Sequence, residues 1–248
     1  MLCKCVNIHP SVYYYNCNKN LNSYEESNKI LDVKIKESYD KSKGRYGSPK
    51  ITKDLESQGM KVSQKRVARR MKIIGLRSII IKKYNHAGSS KCDNTKEYTN
   101  ILEQDFFAEK PSIKWGGDIT YIYTIDKGWT YLAIVMDLYD LKVVGWSYGT
   151  NMTDSLVIDA FNKALTNRGL NKEGIFHSDR GSQYTSNNNA ILKKEEVNLN
   201  TYKTFEDARM AIFEYIESWY NNQRIHGSLD YITPNMKYNN YISNIAIA

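Results

Sequence analysis

Two aspartates, Asp118 and Asp179, have the clearest potential for chemistry in this sequence. Asp118 lies in the stretch WGGDITYI, and Asp179 lies in HSDRGSQYTS, 61 positions further along the chain. Taken alone, an aspartate among small polar residues such as Asp179 is also typical of a turn. Two carboxylates held side by side repel each other when ionised, and a divalent cation relieves that repulsion. If the fold brings them together, they predict a Mg²⁺ or Mn²⁺ site for phosphoryl transfer.

The elements around the two aspartates decide whether their side chains meet. Residue type and spacing predict strands at 113–124, 129–138, 142–148 and 174–178, with an amphipathic helix at about 154–167. We expect the helix to bury Leu156, Val157, Ala160, Phe161, Ala164 and Leu165. The first three strands are spaced for antiparallel hairpins, and a right-handed helical crossover returns the fourth strand parallel to the first. Asp118 and Asp179 then converge at one edge of the sheet.

A basic block precedes these strands. Residues 41–83 contain 14 Lys and Arg against two acidic residues, whereas the rest of the chain has a slight excess of acids. Concentrated positive charge on a mildly acidic protein is typical of a nucleic-acid-binding module, although a solvated basic surface has the same composition.

Within the basic block, the pattern predicts two helices around a turn. Ser48 is the expected N-cap of the first helix, and Ser63 caps the second, whose apolar stripe is Val67, Met71 and Ile74. Basic residues lie opposite that stripe, as in a helix-turn-helix that presents its second helix to DNA. The candidate DNA-binding residues are Lys61, Lys65, Arg66, Arg69, Arg70 and Lys72.

Composition limits the remaining possibilities. The start of the chain lacks the apolar segment of a signal peptide, and no apolar run is long enough to cross a bilayer, so we expect no membrane partner. The four cysteines show no zinc or disulfide spacing, which favours a reducing cytoplasm. The predicted organisation is a helical segment at 1–40, a helix-turn-helix at 41–84, a linker at 85–104, an α/β core at 105–200, and a C-terminal helix and tail at 201–248.

The first and last of these segments contain further predicted helices. Residues 24–40 are expected to form a short polar helix. The C-terminal helix is expected to begin with a capping box of Thr204 and Asp207, and its expected apolar face is Ala208, Ile212, Ile216 and Trp219.

Long stretches of the chain resemble the transposases of bacterial insertion sequences, in the retroviral-integrase-like (DDE) superfamily, and specifically their second-reading-frame product. The matching stretches are GRYGSPKITKDL, KVSQKRVARRMKIIGLRS, DFFAEKPSIKWGGDITYI, GWTYLAIVMDLYDLKVVGWS, HSDRGSQYTS and EYIESWYNNQRIHGSLDYITP. They occur in the family's order and at its spacings, and they cover nearly the whole chain.

The resemblance implies an α/β fold, a ribonuclease-H-like integrase core preceded by an all-α helix-turn-helix region. It implies cleavage of DNA element ends and their transfer to a target DNA, with Mg²⁺ or Mn²⁺ as cofactor and two ions in an intact family member. It places the first catalytic, metal-binding acid at Asp118 and the second at Asp179. Asp137, which has an acidic counterpart in the family outside the catalytic set, is interpreted as structural.

Three departures from the family pattern stand out. Gly117 occupies a position where the family usually has a hydroxyl residue, and Asp140-Leu141 replaces a common Ser-Arg pair. The third departure is larger, because the chain runs from AILKKEEV directly into NLNTYKTFEDAR. The segment that normally lies between these parts includes the fifth strand and the third catalytic acid, a glutamate. We therefore predict an internal deletion near Val197-Asn198 and no third acid.

Three glutamates are candidates to replace the missing acid, and we reject each of them. Glu214 lies 35 positions after Asp179, which is the family's spacing, but its stretch AIFEYIESWYN matches a later helix of the family. Glu195 and Glu196 belong to the helix that precedes the missing segment.

The sequence therefore predicts a transposase by resemblance whose catalysis is impaired. The alternative is a non-catalytic DNA-binding remnant, or an inhibitor of an intact transposase. A nuclease of similar fold is a third possibility, which the DNA-binding block makes less favourable. The expected partners are DNA, as element ends and as target, and a second copy of this chain or an intact transposase.

Overall fold

The structure is a computed structural model, and it describes residues 9–17, 23–79, 105–178 and 191–247. The chain divides into two compact units, Met1–Ile79 and Ile80–Ala248. The predicted linker and Asp179 lie outside the described residues. In the part of the chain that is described, no helix combines the length and the apolar character needed to cross a membrane.

The first unit is helical. Its helices are α1 (Pro10–Cys17), α2 (Ser23–Lys41), α3 (Ser48–Ser57) and α4 (Gln64–Ile73). The predicted cap at Ser63 is confirmed, since its side-chain oxygen accepts a hydrogen bond from the Arg66 amide. The predicted cap at Ser48 is wrong, because the N-cap residue of α3 is Gly47 and Ser48 is already helical. Gly59 and Gly75 follow α3 and α4 with φ of +83° and +75°, a conformation that glycine adopts without a steric penalty.

The helix α2 is a full partner of the helix-turn-helix. The sequence suggested a short polar helix at 24–40, whereas α2 has 19 residues and buries Leu31 and Ile35. These side chains belong to the same buried set as Ile51, Leu55, Val67 and Met71 of α3 and α4. Two short amphipathic helices bury too little apolar surface alone, and α2 supplies the third side of their core.

The second unit contains a four-stranded mixed sheet. Its strands are β1 (Lys114–Thr124), β2 (Gly128–Asp137), β3 (Val143–Gly149) and β4 (Ile175–Ser178). Their order is β3-β2-β1-β4, with antiparallel β3-β2-β1 and parallel β1-β4 pairing. This is the predicted arrangement, and it agrees with a ribonuclease-H-like core preceded by a helical region.

One face of the sheet is covered by α5 (Asp154–Asn167), the crossover between β3 and β4. A Cβ atom at Gly145 would collide with the Ala160 carbonyl oxygen of α5, so this glycine permits the close approach of the helix. Leu156, Ala160 and Ala164 are buried there as predicted. Leu165 was expected to be buried but is 40% exposed, because it lies at the flank of the helix beyond the sheet contact.

The other face of the sheet is covered by the C-terminal elements. Residues 191–195 are helical and lead into a 3₁₀ turn (Val197–Leu199); α6 (Phe205–Phe213) then continues as a π-helix (Glu214–Tyr220), and α7 (Pro234–Ile247) ends the fold. The predicted capping box of Thr204 and Asp207 is present. The predicted apolar face of this element, Ala208, Ile212, Ile216 and Trp219, is buried.

A buried cluster of charges joins the sheet to α5. The guanidinium of Arg168 contacts Asp137 Oδ2 at 3.0 Å and Asp140 Oδ2 at 2.7 Å, and both carboxylates are fully buried. Asp137 also accepts hydrogen bonds from the backbone amides of Ser112 and Tyr139. It is structural, as the sequence suggested.

The two carboxylates share one cation, so a buried negative charge remains. Among the described residues, Asp140 accepts hydrogen bonds from Arg168 and from the Lys142 amide, and burial raises its pKa to about 6 against the opposing effect of Arg168. A carboxyl group whose pKa is raised by folding stabilises the protein at low pH, and that contribution is lost as the pH rises through about 6.

We therefore predict the pH dependence of Asp140→Asn, whose side chain stays neutral. Between pH 4 and pH 7 the free energy of unfolding of the unmodified protein should fall relative to this variant by about 3 kcal/mol. Denaturant titrations at several pH values measure the difference. Glu206→Gln, in an exposed pair with Arg209, is the matched control and should show no such trend. A difference that stays constant with pH would contradict the prediction.

Candidate functional site

Asp118 lies in the middle of the sheet on β1. It is opposite Ile134 of β2, and it is partly exposed although its neighbours Trp115, Gly116 and Gly117 are buried. Its Oδ1 atom accepts a hydrogen bond from the Ile119 amide at 2.7 Å. Among the described residues, no Lys, Arg or His forms an ion pair with this carboxylate.

The face of the sheet that carries Asp118 follows from strand alternation. Trp115 and Ile119 pack in the cluster under α5, so Asp118, between them, points to the opposite face. That face is the one covered by the C-terminal helices.

The end of β4 lies beside Asp118. In the parallel register Gly116 is paired with His177 and Gly117 with Ser178, the last described residue of the strand. The position of Asp179 is outside the described residues, so its pairing with Asp118 stays a prediction. The strand order and direction on which that prediction depends are the observed ones.

Gly117 has a packing role that accounts for its departure from the family pattern. A Cβ atom at this position would lie 2.7 Å from Cζ and 3.0 Å from Cε2 of Phe176 on β4. The Phe176 ring is held in place by Phe161 of α5, with ring centroids 4.8 Å apart. The ring covers the backbone next to Asp118, and a residue with a side chain at 117 would displace it.

Glu195, one of the rejected third acids, is a buried structural residue. Its Oε1 atom accepts a hydrogen bond from Arg224 Nη2 at 2.8 Å, and its Oε2 atom accepts from the Tyr215 hydroxyl at 2.9 Å. Burial, together with the Glu195 charge, raises the pKa of Tyr215 well above its ordinary value. The same Arg224 contacts the ring of His226, which packs edge-on against Tyr220 at 5.0 Å.

The other two rejected glutamates lie in more exposed surroundings than Glu195. Glu196 accepts a hydrogen bond from the Asn200 side chain, and Glu214 is exposed at the start of the π-helix. Across the residues that the structure describes, no three His, Cys, Asp or Glu side chains form a group that could hold a metal ion. Asp179 is not among those residues.

The basic residues of the first unit fall into two sets. Lys61, Lys65, Arg69 and Lys72 are exposed, and none of them has an ion-pair or hydrogen-bonding partner in the described part of the chain. Arg66 and Arg70 were predicted on the same outward surface, but they are partly buried against α2, where Asn28 and Asp32 bind them. This division could not be predicted from local sequence, because each partner lies 38 residues away from its arginine.

Three family models match the chain. A model described as an HTH-like domain matches residues 25–84, and two models described as integrase core domains match residues 108–212 and 189–241. The first of these matches includes most of α2, in agreement with its part in the helical unit.

Curated relatives match over most of their length. The chain is 36% identical over 238 residues to the transposase for insertion sequence element IS904 of Lactococcus lactis subsp. lactis (strain IL1403), which covers 83% of this chain and 92% of that protein. It is 31% identical over 264 residues to transposase InsF for insertion sequence IS3A of Escherichia coli (strain K12), which covers 94% of this chain and 91% of that protein.

The contact of Gly117 with Phe176 generates a test of the packing beside Asp118. Gly117→Ala should lower the free energy of unfolding by about 1–3 kcal/mol, because the added methyl group overpacks the site. Phe176→Leu should relieve part of that cost, so the double variant should be more stable than the sum of the two single changes predicts.

Thermal and denaturant unfolding of the four proteins measure this coupling. Gly227→Ala is the matched control, since its φ is ordinary and the nearest atom to an added Cβ lies 4.0 Å away. Strict additivity of the two changes would show that Phe176 does not limit the residue at 117.

Proposed function

Since this chain belongs to the transposases of bacterial insertion sequences that carry an integrase core, we propose that it is a DNA-transposition protein with impaired catalysis. It binds DNA through its helical unit, and its integrase core retains two of the acids that cleavage and strand transfer need, Asp118 and Asp179. The third acid is absent.

The short connection after Glu195 carries this proposal. Tyr202 forms a parallel bridge with Thr124 at the end of β1, and its carbonyl oxygen accepts a hydrogen bond from the Ile125 amide at 3.1 Å. Only six residues separate Glu195 from Tyr202, and three of them form the 3₁₀ turn. A further strand and a helix carrying a glutamate need many more residues than this connection contains.

The alignment with the IS3A relative supports the loss of a segment. It extends over 264 positions, which is more than the 248 residues of this chain. Some positions of that relative therefore have no counterpart here, as an internal deletion requires.

The surroundings of Asp118 fit a divalent cation. Its carboxylate is partly exposed, and within the described part of the chain it accepts a hydrogen bond from a backbone amide alone, which leaves lone pairs for a hard cation such as Mg²⁺ or Mn²⁺. We propose that Asp118 and Asp179 hold the metal, whose chemistry in this family is the activation of the attacking oxygen and the stabilisation of charge on the phosphate. With two carboxylates instead of three, the site binds the metal more weakly and orients the phosphate less well.

DNA binding is independent of this defect. The helical unit is intact from α2 to α4, and Lys61, Lys65, Arg69 and Lys72 form an exposed basic row on and before α4. We propose that this row contacts the phosphates of the element ends. A chain that binds these ends without cutting them acts as a non-catalytic DNA-binding remnant, and it inhibits an intact transposase by occupying the same sites.

The catalytic part of the proposal is tested by strand transfer. Labelled duplexes that carry the ends of the element are incubated with the protein, a target plasmid and Mg²⁺ or Mn²⁺. The chain should give no joined product. A chimera that receives the missing segment from the IS904 transposase at Val197-Asn198 should give product, and Asp118→Asn in that chimera should abolish it. Product from the unmodified chain that depends on Asp118 would overturn the impairment.

The DNA-binding part is tested by salt dependence. Lys65→Gln/Arg69→Gln/Lys72→Gln should weaken binding to a DNA duplex and reduce the slope of log affinity against log salt by about 3, because each phosphate contact contributes about 0.9. Lys110→Gln/Lys127→Gln/Lys172→Gln removes the same charge from exposed positions of the second unit and is the control. If the two triple variants show equal slopes, the basic residues of α4 form a solvated surface that does not bind DNA phosphates.

A further inference from the structure

Two rows of polar contacts connect α2 to α4. Arg66 Nη2 donates to Asn28 Oδ1 at 3.0 Å and to Ser27 Oγ at 2.8 Å, and its guanidinium lies over the Tyr24 ring at 5.2 Å. One turn further along both helices, Arg70 Nε donates to Asp32 Oδ1 at 2.7 Å, and its Nη2 donates to the other oxygen of Asp32.

The spacing of these contacts defines a register. Asn28 and Asp32 lie four residues apart on α2, and Arg66 and Arg70 lie four residues apart on α4. The two polar contacts are therefore equally spaced along helices that run in the same direction. A shift of α4 by one turn would place Asn28 beside Arg70 and Asp32 beside the apolar Ile74. That shift would remove the bidentate ion pair, in which the fixed fork of the guanidinium matches the carboxylate.

Apolar packing at the start of α4 is incomplete, so the two polar contacts contribute more to the position of this end of the helix. A groove of about 190 Å³ opens beside Arg66, between Ile30 of α2 and the residues Met60 and Val62 that precede α4. The buried apolar side chains of the two helices, Leu31, Val67 and Met71, come after Asn28 and Arg66 in the chain. The polar contacts therefore hold the end of α4 that the exposed Lys65 occupies.

The two polar contacts with α2 lie on a different side of α4 from the basic row. Positions 65, 69 and 72 follow the three- and four-residue spacing of one helical face, whereas Arg66 and Arg70 are rotated from it toward α2. Arg70 and Asp32 have side chains only 19% and 20% exposed, so each partner screens the other from solvent and from a phosphate.

We infer that the pairs Asn28–Arg66 and Asp32–Arg70 are positioning residues for DNA binding: they set the orientation of α4 so that its basic row faces the DNA, and they do not contact DNA themselves. The inference rests on the proposed DNA-binding role of α4. It assigns to two arginines of the basic block a role different from that of their neighbours.

The inference reverses the effect expected from charge alone. Asp32→Asn makes the chain more positive by one unit, which by simple electrostatics strengthens binding to a polyanion. If the ion pair positions α4, the same change should weaken binding by about five- to tenfold, a size ordinary for the loss of a bidentate charge pair at a binding element.

Binding of the full-length chain to a DNA duplex, measured by fluorescence anisotropy at several salt concentrations, tests this. Glu37→Gln is the matched control, because Glu37 lies on the same helix in an exposed pair with Lys34 and its neutralisation adds the same charge. We expect Asp32→Asn to bind more weakly than the unmodified chain and Glu37→Gln to bind as tightly or slightly more tightly.

A charge-reversal variant separates positioning from direct contact, and it covers the case in which Asp32→Asn fails to fold. Asp32→Arg/Arg70→Asp restores the pair with its charges exchanged, and we expect its affinity to return to within about twofold of the unmodified chain with an unchanged salt slope. If Arg70 binds a phosphate, the slope falls by about 1 and the affinity is not restored, and the inference is overturned.

The outcomes also distinguish this inference from the proposed function. If removal of the charges at 65, 69 and 72 leaves affinity and salt slope unchanged, the DNA-binding role of α4 fails, whatever Asp32→Asn does. If that triple variant behaves as expected but Asp32→Asn binds as tightly as Glu37→Gln, only the positioning role fails.

Discussion

The parallel pairing of β4 with β1 is the constraint on which the candidate site depends. Short parallel strands need a long crossover, and here α5 supplies it and packs on the sheet through the gap that Gly145 leaves. At the other end of the crossover, the Phe176 ring rests on the backbone of Gly117, beside Asp118. The two glycines have no chemistry of their own, yet one lets α5 pack closely on the sheet and the other leaves room for this ring.

The internal carboxylates of the core pair with arginine, whereas Asp118 accepts a hydrogen bond from a backbone amide. Asp137 and Asp140 share Arg168, and Glu195 is bound by Arg224, so each of these acids contributes to packing and has its lone pairs occupied. An acid that is already paired with an internal cation cannot attract a metal ion strongly, because the metal would have to displace the arginine. The difference between a structural acid and a candidate catalytic acid in this fold is therefore the partner of the carboxylate, and position in the chain is a poor guide to it.

Most of the fold could be predicted from local pattern, whereas the pairing of charged side chains could not. The strand lengths, the order β3-β2-β1-β4, the capping box at Thr204 and the buried face of α4 follow from periodicity and capping chemistry, which act over a few residues. The partners of Arg66, Arg70, Arg168 and Glu195 come from elements 20 or more residues away, and no local signal specifies them. Leu165 fits the helical stripe as well as Ala164 does, and only the width of the sheet contact leaves it exposed. For the candidate site, the position of Asp118 on its strand could be predicted, whereas the lack of a cationic partner for it among the described residues could not.

The ion pair of Glu195 with Arg224 connects the chain on the two sides of the 3₁₀ turn at Val197–Leu199. Together with the bridge from Tyr202 to β1, it fixes both ends of this connection against the sheet. When the ends of a loop are held in place, the entropy of closing it grows only slowly with its length, so a segment inserted or removed between them changes the stability of the rest of the fold very little. Evolution can therefore vary the length of the chain here at low cost to folding. A change in the length of this connection therefore leaves the packing on either side of it in place.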